Sequence, residues 1–294
     1  LMMIPAEFSM PEYFKAHAKT DVIYLYFEKD KIYTPKTRVM LKKAPVDVSV
    51  LVQFKQMKYE SLTVLVETVG DAYAPIAINM NQVHVKGNAQ CDLEITVEPN
   101  GATVVGSVVA KDTTAEFGTS TIGDMVQSVN FAKQQELRPN KTPFDVEVML
   151  DVTMKSRVQV FYSTFLRGLV VPNSKVTFAF NSADEKISLD GSVPLRSGEI
   201  IYLNSSFYVK EGRIDFSSTD QGFDPYVTLR AETREKDEYN NNVTISLTVD
   251  HQRISDLSPK LTSSPAKSEK QIMELLGSFV SANSDNMASF MLAT

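Results

Sequence analysis

The three histidines are the side chains best suited to metal binding or acid–base catalysis, because imidazole ligates metals when neutral and titrates near neutral pH. They are His17, His84 and His251, and they lie far apart along the chain. None has a second histidine or a cysteine at the short spacing that a zinc site uses. The sequence therefore predicts no metal centre and no histidine-based triad, and we interpret the histidines as solvated or edge residues.

Carboxylates and glycines offer no better catalytic pattern. Asp220 and Asp224 lie in STDQGFD, which superficially resembles a calcium loop but lacks the alternating oxygen ligands and the bidentate glutamate of such a loop. The glycines stand singly, without the spacing that cradles phosphates in a P-loop or a dinucleotide site. STDQGFD is therefore expected to form a polar turn, and the sequence predicts no enzyme, no cofactor and no metal.

The composition is that of a folded protein. The chain has 294 residues, of which 43% are hydrophobic, and this length can bury a substantial core. Thirty Lys and Arg against 36 Asp and Glu give a net charge of −6 without a basic cluster, so no nucleic-acid partner is predicted. Cys91 is the single cysteine, which excludes an internal disulfide. The first ten residues lack a signal-peptide pattern, and because the sequence begins on Leu1 we expect a segment of a longer protein.

Period-two alternation is the dominant pattern and predicts β-strands almost throughout. In FDVEVMLDVTM every second residue from Val146 to Val152 is apolar, and the residues between them are mostly acidic. The same alternation occurs in VDVSVLVQF, KVTFAF, KISL, RIDF, PYVTLRAE and NVTISLTV, and DVIYLYF is apolar on both faces. Each alternating strand must bury one apolar face, in a sandwich, a closed barrel or an apolar groove.

Turn residues predict that neighbouring strands pair antiparallel. Asn100-Gly101 is a strong hairpin signal, Gly212 is expected at a similar bend, and REKDEYNNN supplies a longer polar tip. The stretch after Phe117 is rich in Gly, Thr, Asn and Pro, which indicates loops. We therefore place a boundary near Pro143, between an N-terminal segment 1–143 and a C-terminal domain 144–294.

The choice between sandwich and groove stays open at this level. The alternating faces consist mainly of Val, Ile and Leu, whereas sandwich cores usually include bulky aromatic side chains. This composition suits a long smooth groove but does not exclude a sandwich. The absence of Trp and the scattered Tyr residues argue against the aromatic girdles of an outer-membrane barrel.

One amphipathic helix is predicted near the C-terminus, over about 268–281. Ser268 stands three residues before Gln271, which is the spacing of a capping box. An apolar stripe at helical spacing follows, formed by Ile272, Leu275, Leu276, Phe279 and Val280. The helix must lie against an apolar surface, either lining the mouth of a groove or capping a sandwich core.

The run from about residue 145 to 282 resembles the C-terminal domain of TamB, a family in the AsmA-like group of bridge-forming lipid transporters. The resemblance rests on the order of elements in GSVPLRSGEIIYLNSSFYVKEGRIDFSSTDQGFDPYVTLRAETRE, followed by VTISLTVD and by the helix signature LTSSPAKSEKQIMELLG. Residues 1–144 share only the alternation.

The resemblance implies an all-β fold, an elongated, folded-over (taco-like) and mostly antiparallel sheet with an apolar concave interior. It implies a place in the periplasm of a diderm bacterium, with an inner-membrane anchor outside this segment. The implied partners are phospholipid acyl chains, a TamA-type outer-membrane barrel insertase and outer-membrane protein clients.

Two functional hypotheses follow. In the first, the chain is a lipid conduit whose groove is lined by Val146, Val148, Leu150, Val152, Val176, Phe178, Phe180, Ile187, Leu189, Ile214, Phe216, Val227, Leu229, Val243, Ile245, Leu247 and Val249. The alternative for each of these residues is that it fills a dry core. In the second hypothesis, exposed sheet edges pair with strands of a client or barrel partner by β-augmentation, without lipid cargo.

Overall fold

A single large β-sheet dominates the computed structural model. The structure describes residues 2–10, 14–80, 83–117, 144–162, 166–183, 186–203, 205–217 and 224–277. Within these residues it contains seventeen strands, one short α-helix and one 3₁₀ turn. The predicted all-β class, the mostly antiparallel pairing and the single C-terminal helix are confirmed.

The strands run through the whole described chain. They are β1 (Met2–Met10), β2 (Phe14–Phe27), β3 (Lys31–Leu41), β4 (Ala44–Lys55), β5 (Lys58–Thr68), β6 (Ala74–Met80), β7 (Val83–Glu98), β8 (Gly101–Phe117), β9 (Asp145–Met154), β10 (Val158–Tyr162), β11 (Leu166–Val170), β12 (Ser174–Asn181), β13 (Lys186–Tyr202), β14 (Ser205–Phe216), β15 (Tyr226–Lys236), β16 (Asn242–Arg253) and β17 (Lys260–Ser264). The 3₁₀ turn covers Ile254–Asp256 and helix α1 covers Glu269–Leu275.

Sequence neighbours pair antiparallel over most of the sheet. Strands β1 to β5 form one such series, and β5 and β6 both pair with β7. Strand β8 pairs antiparallel with β7 and parallel with both β9 and β10. Strands β12 and β11 continue from β9 and β10, and β13 pairs with both of them. Strands β13 to β17 then complete the sheet.

Of the two turns predicted from glycine positions, the hairpin before Gly101 is present and the bend at Gly212 is not. Strands β7 and β8 form the predicted tight hairpin, but its two-residue turn is Pro99-Asn100 and not Asn100-Gly101, because Glu98 lies opposite Gly101 at the start of β8. Gly212, by contrast, lies inside β14 and pairs with Leu195 and Leu229. A Cβ at Gly212 would lie 3.2 Å from side-chain atoms of both leucines. The glycine therefore provides space for packing, and the predicted bend there is wrong.

The sheet continues across the predicted boundary near Pro143. Strand β8 lies before this position and β9 after it, and the two pair over ten residues from Gly101–Ala110 to Asp145–Met154. Hydrogen bonding thus joins strands of the segments 1–143 and 144–294. The division into two segments stays a prediction about domain organisation.

The densest core lies in the C-terminal strands. Completely buried side chains include Phe207, Val243, Ile245 and Leu247, each with 0% of its surface exposed. The cluster around them draws on β10, β11, β13 to β16 and helix α1, and it includes Val83, Ala110 and Phe117 from β7 and β8. One region of the sheet is therefore closed by its own packing.

Helix α1 begins as predicted and is shorter than predicted. The Ser268 hydroxyl accepts from the Gln271 N–H, and the Gln271 side chain accepts from the Ser268 N–H, so the capping box is present. The helix ends at Leu275 because Gly277 adopts a φ of +75° and its N–H bonds back to the Glu274 carbonyl. The predicted stripe positions Phe279 and Val280 lie outside the described residues.

Candidate functional site: the apolar face of the sheet

The residues predicted to line a groove share one face of the sheet. Directly paired residues in neighbouring strands point to the same face. Val148 of β9 lies opposite Phe180 of β12, which lies opposite Ile187 of β13. Further along, Val193 lies opposite Ile214, which lies opposite Val227. The register thus brings the seventeen predicted positions together on one side.

The same face extends into strands that the hypothesis left out. Val148 also pairs with Val104 of β8, which pairs with Ile95 of β7. The complete row across seven successive strands is Val50, Val64, Ile95, Val104, Val148, Phe180 and Ile187. The alternation of VDVSVLVQF predicted a strand with one apolar face, but only the pairing register shows that β4, β5, β7 and β8 share a face with β9.

Side chains in this part of the face are half-buried and do not belong to the closed core. We call this region the open apolar face and define it by Val48, Val50, Val52, Leu62, Val64, Val66, Ile95, Val97, Val104, Val146, Val148, Leu150, Phe178 and Phe180. At a strand spacing of ~4.8 Å, the seven-strand row spans roughly 29 Å. The open apolar face is therefore a continuous surface of Val, Ile, Leu and Phe.

The predicted groove residues divide between the two regions. Val146, Val148, Leu150, Val152, Phe178, Phe180, Ile187, Leu189 and Phe216 are half-buried. Val176, Ile214, Val227, Leu229, Val243, Ile245, Leu247 and Val249 are at most 6% exposed and lie in the closed core. Some half-buried residues, among them Val152 and Phe216, pack against that core and mark its border.

Helix α1 lies against the closed core through its apolar stripe. Ile272 and Leu276 are each 2% exposed and belong to the same buried cluster as Leu247, while Leu275 packs at its border. The Ser205 hydroxyl donates to the Leu276 carbonyl at 3.5 Å, which ties the end of the helix to β14. The helix therefore covers apolar surface of the sheet, as an amphipathic helix must.

A partly buried ion pair fixes the segment that leads into the helix. The Lys267 ammonium lies 2.9 Å from the Asp237 carboxylate in the turn between β15 and β16. The same carboxylate accepts from the backbone N–H groups of Tyr239 and Asn241. The hydrogen bond from Lys267 and then that from Asn241 hold the pKa of Asp237 below its ordinary value.

We expect this ion pair to make helix docking pH-dependent. A carboxyl whose pKa is lowered in the folded state contributes stability above its ordinary pKa of 3.8, and that stability is lost as the pH falls through the lowered value. Asp237→Asn should therefore reduce the protection of the α1 amides at pH 7 and remove its loss in acid. Hydrogen exchange, corrected for intrinsic rates, measures both effects.

Glu238→Gln serves as the matched control, because Glu238 is exposed and next to Asp237 in the same turn. This variant should leave the protection of α1 unchanged at both pH values. Equal protection in Asp237→Asn and the parent protein would show that the ion pair does not hold the helix.

The side chains that the sequence analysis considered for catalysis or metal binding form structural contacts. His84 lies 3.4 Å from the Asn79 amide oxygen, and the His251 ring stacks on Tyr226 with centroids 4.4 Å apart. Asp224 accepts from both the backbone N–H and the hydroxyl of Ser255. Asp220 and the side chain of His17 lie outside the described part of the structure.

Burial also changes the titration of three side chains. Burial raises the pKa of Tyr162 and of Tyr202 to about 12, and it raises the pKa of the Cys91 thiol. Across the described ranges, no three His, Cys, Asp or Glu side chains come together as a metal site. In the same part of the chain, no helix has the length and apolar character to cross a membrane.

Comparison with known proteins gives one positive finding. No curated protein matches the chain significantly. The family model of the TamB C-terminal domain matches residues 68–294. The match begins well before residue 145 and so includes β7 and β8, which carry part of the open apolar face. The chain belongs to the TamB C-terminal domain family.

Proposed function

We propose that this chain is a segment of a lipid conduit that shields phospholipid acyl chains between the inner and outer membranes of a diderm bacterium. The observation that carries the proposal is the open apolar face, a continuous surface of half-buried apolar side chains across the six strands β4, β5, β7, β8, β9 and β12. Family membership supports it, because the chain belongs to an envelope protein family. The proposal includes a periplasmic location, a TamA-type partner at the outer membrane and a role in outer-membrane protein assembly.

The free energy of exposing acyl chains to water explains why a covered apolar path would be sufficient to move lipids between the membranes. Each methylene exposed to water costs ~0.8 kcal/mol, so two acyl chains of about sixteen carbons face a barrier on the order of 25 kcal/mol. At about 1.36 kcal/mol per tenfold in rate, this corresponds to roughly eighteen powers of ten. An apolar surface that accompanies the chains removes most of that barrier without any chemical step.

The dimensions of the open apolar face suit this cargo. One leaflet of bilayer hydrocarbon is about 15 Å thick, half of the ~30 Å core. The open apolar face spans roughly 24 Å across its six strands, which is longer, so extended acyl chains can lie along it within its limits. The path runs along the half-buried residues, and the eight buried positions from Val176 to Val249 act as its closed wall. Helix α1 belongs to the closed core that borders this path.

Mass spectrometry of organic extracts from the purified protein tests the proposal. A conduit should retain phospholipid at a near-stoichiometric amount after purification without detergent. Extracts without phospholipid, from protein that is folded by circular dichroism, would rule the conduit out.

The alternative is a β-augmentation module for outer-membrane proteins, and it rests on the sheet edges. Among the described strands, β1 pairs only with β2, and β17 pairs only with β16. Such edges can accept a partner strand. This alternative requires backbone-mediated crosslinks along one edge strand together with lipid-free extracts, so the same preparation separates the two functions.

A further inference from the structure

A group of three neighbouring large apolar side chains is exposed on the opposite, polar face of the sheet. They are Leu65 of β5, Val105 of β8 and Met149 of β9, with 47%, 36% and 58% of their surfaces exposed. Glu94 of β7 pairs with Leu65 on one side and with Val105 on the other, and Val105 pairs with Met149. The three residues therefore form one row, interrupted by a single carboxylate.

This row lies in a solvent-open depression of about 460 Å³. Gly106 lines it with a φ of +146°, a backbone conformation that favours glycine. A Cβ at this position would lie 2.1 Å from the carbonyl oxygen of Asp92, closer than any side chain can approach. The backbones of β7 and β8 thus meet closely in the depression, and its shape depends on the glycine.

The charged side chains that line the depression are all acidic. Asp92, Glu94 and Asp151 line it, and all three are exposed. Within the described part of the chain none of them forms an ion pair, although the Thr177 hydroxyl donates to Asp151 at 3.1 Å. Asp47, on the same polar face in β4, is paired with Arg38. The depression therefore combines apolar contact area with unneutralised negative charge.

We propose that this surface docks a basic amphipathic segment of a protein partner. The apolar side chains of the docked segment pack on Leu65, Val105 and Met149. The Lys or Arg side chains of the segment face Asp92, Glu94 and Asp151. A phospholipid headgroup fits poorly here, because its phosphate meets three carboxylates. A second copy of this chain fits poorly as well, since it would bring the same negative surface and a net charge of −6.

Fluorescence anisotropy with a labelled twelve-residue peptide of alternating Leu and Lys tests the proposal. Met149→Ser should weaken binding at least about tenfold, as loss of a central apolar contact does at peptide interfaces. Glu94→Gln should weaken it about threefold at low salt and have a smaller effect at high salt, because exposed charge pairs are weak and screened. A peptide of alternating Leu and Glu should not bind.

Two control variants separate this surface from other sources of affinity. Asp256→Asn removes the same charge at an exposed position away from the depression, and Val148→Ser alters the open apolar face on the other side of the sheet. Both should bind the Leu–Lys peptide like the parent protein. Because the readout involves no lipid, the proposal stands or fails independently of the conduit.

Four results would overturn it. The first is equal binding of the Leu–Glu peptide, and the second is unchanged binding by Met149→Ser. The third is weakened binding by Val148→Ser, which would place the peptide on the open apolar face. The fourth is a dimer in analytical ultracentrifugation that Met149→Ser dissociates, which would make a second copy the occupant.

Discussion

Ile245→Asp is expected to unfold the C-terminal strands. Ile245 has 0% of its surface exposed and lies in the cluster that also holds Leu247 and Ile272. The substitution removes buried apolar contacts and places a carboxylate without a cationic partner among apolar side chains. The combined loss is about 4 kcal/mol or more, which is a large part of the stability of an ordinary domain. Urea denaturation followed by circular dichroism measures it.

Thr248→Asp is the matched control for this experiment. Thr248 is exposed, lies on the same strand β16 and points to the polar face. Its replacement should change the free energy of unfolding by less than about 0.5 kcal/mol. If Ile245→Asp were as stable as Thr248→Asp, the C-terminal strands would enclose a wet groove instead of a dry core.

Val148→Asp, unlike Ile245→Asp, should leave the protein folded but remove the lipid that co-purifies with it. Val148 is half-buried at the centre of the open apolar face, so an aspartate there can keep part of its hydration. The charge would, however, lie where the proposal places acyl methylenes. We expect the phospholipid that co-purifies with the protein to fall at least about tenfold, because a desolvated charge costs more than the 1.4 kcal/mol that a tenfold change represents.

Thr103→Asp provides the comparison on the polar face. Thr103 is exposed and lies next to Val104, which pairs with Val148. This variant should carry as much phospholipid as the parent protein. Lipid contents that are equal in Val148→Asp and Thr103→Asp, with both proteins folded, would contradict the conduit.

Local patterns predicted the strands and the start of the helix. The alternating segments KVTFAF and NVTISLTV form β12 and β16. A period of two places the apolar side chains on one face of a strand, which can then be buried. The capping box at Ser268 was visible for a similar reason, since it depends on residues within one helical turn. The resemblance in the C-terminal part led to the correct family.

Features that depend on tertiary packing could not be predicted from these local sequence patterns. Val148 and Ile245 look alike in the sequence, yet the first is half-buried and the second is fully buried, because only the second lies in the packed cluster with helix α1. Gly212 resembled a turn glycine, and packing against Leu195 and Leu229 explains it instead. The exposed row of Leu65, Val105 and Met149 breaks the alternation at three separate places that only strand register brings together.

The parallel pairing of β8 with β9 and β10 also has a consequence for how the chain folds. Most neighbouring strands can form early as hairpins, because only a few residues separate them. Gly101 and Asp145 are instead far apart in the sequence, and bringing distant positions together costs conformational entropy before any contact forms. We therefore expect the antiparallel strands on each side of this parallel pairing to assemble first, and the joining of the two groups along β8, which completes the continuous apolar row, to be the slow step.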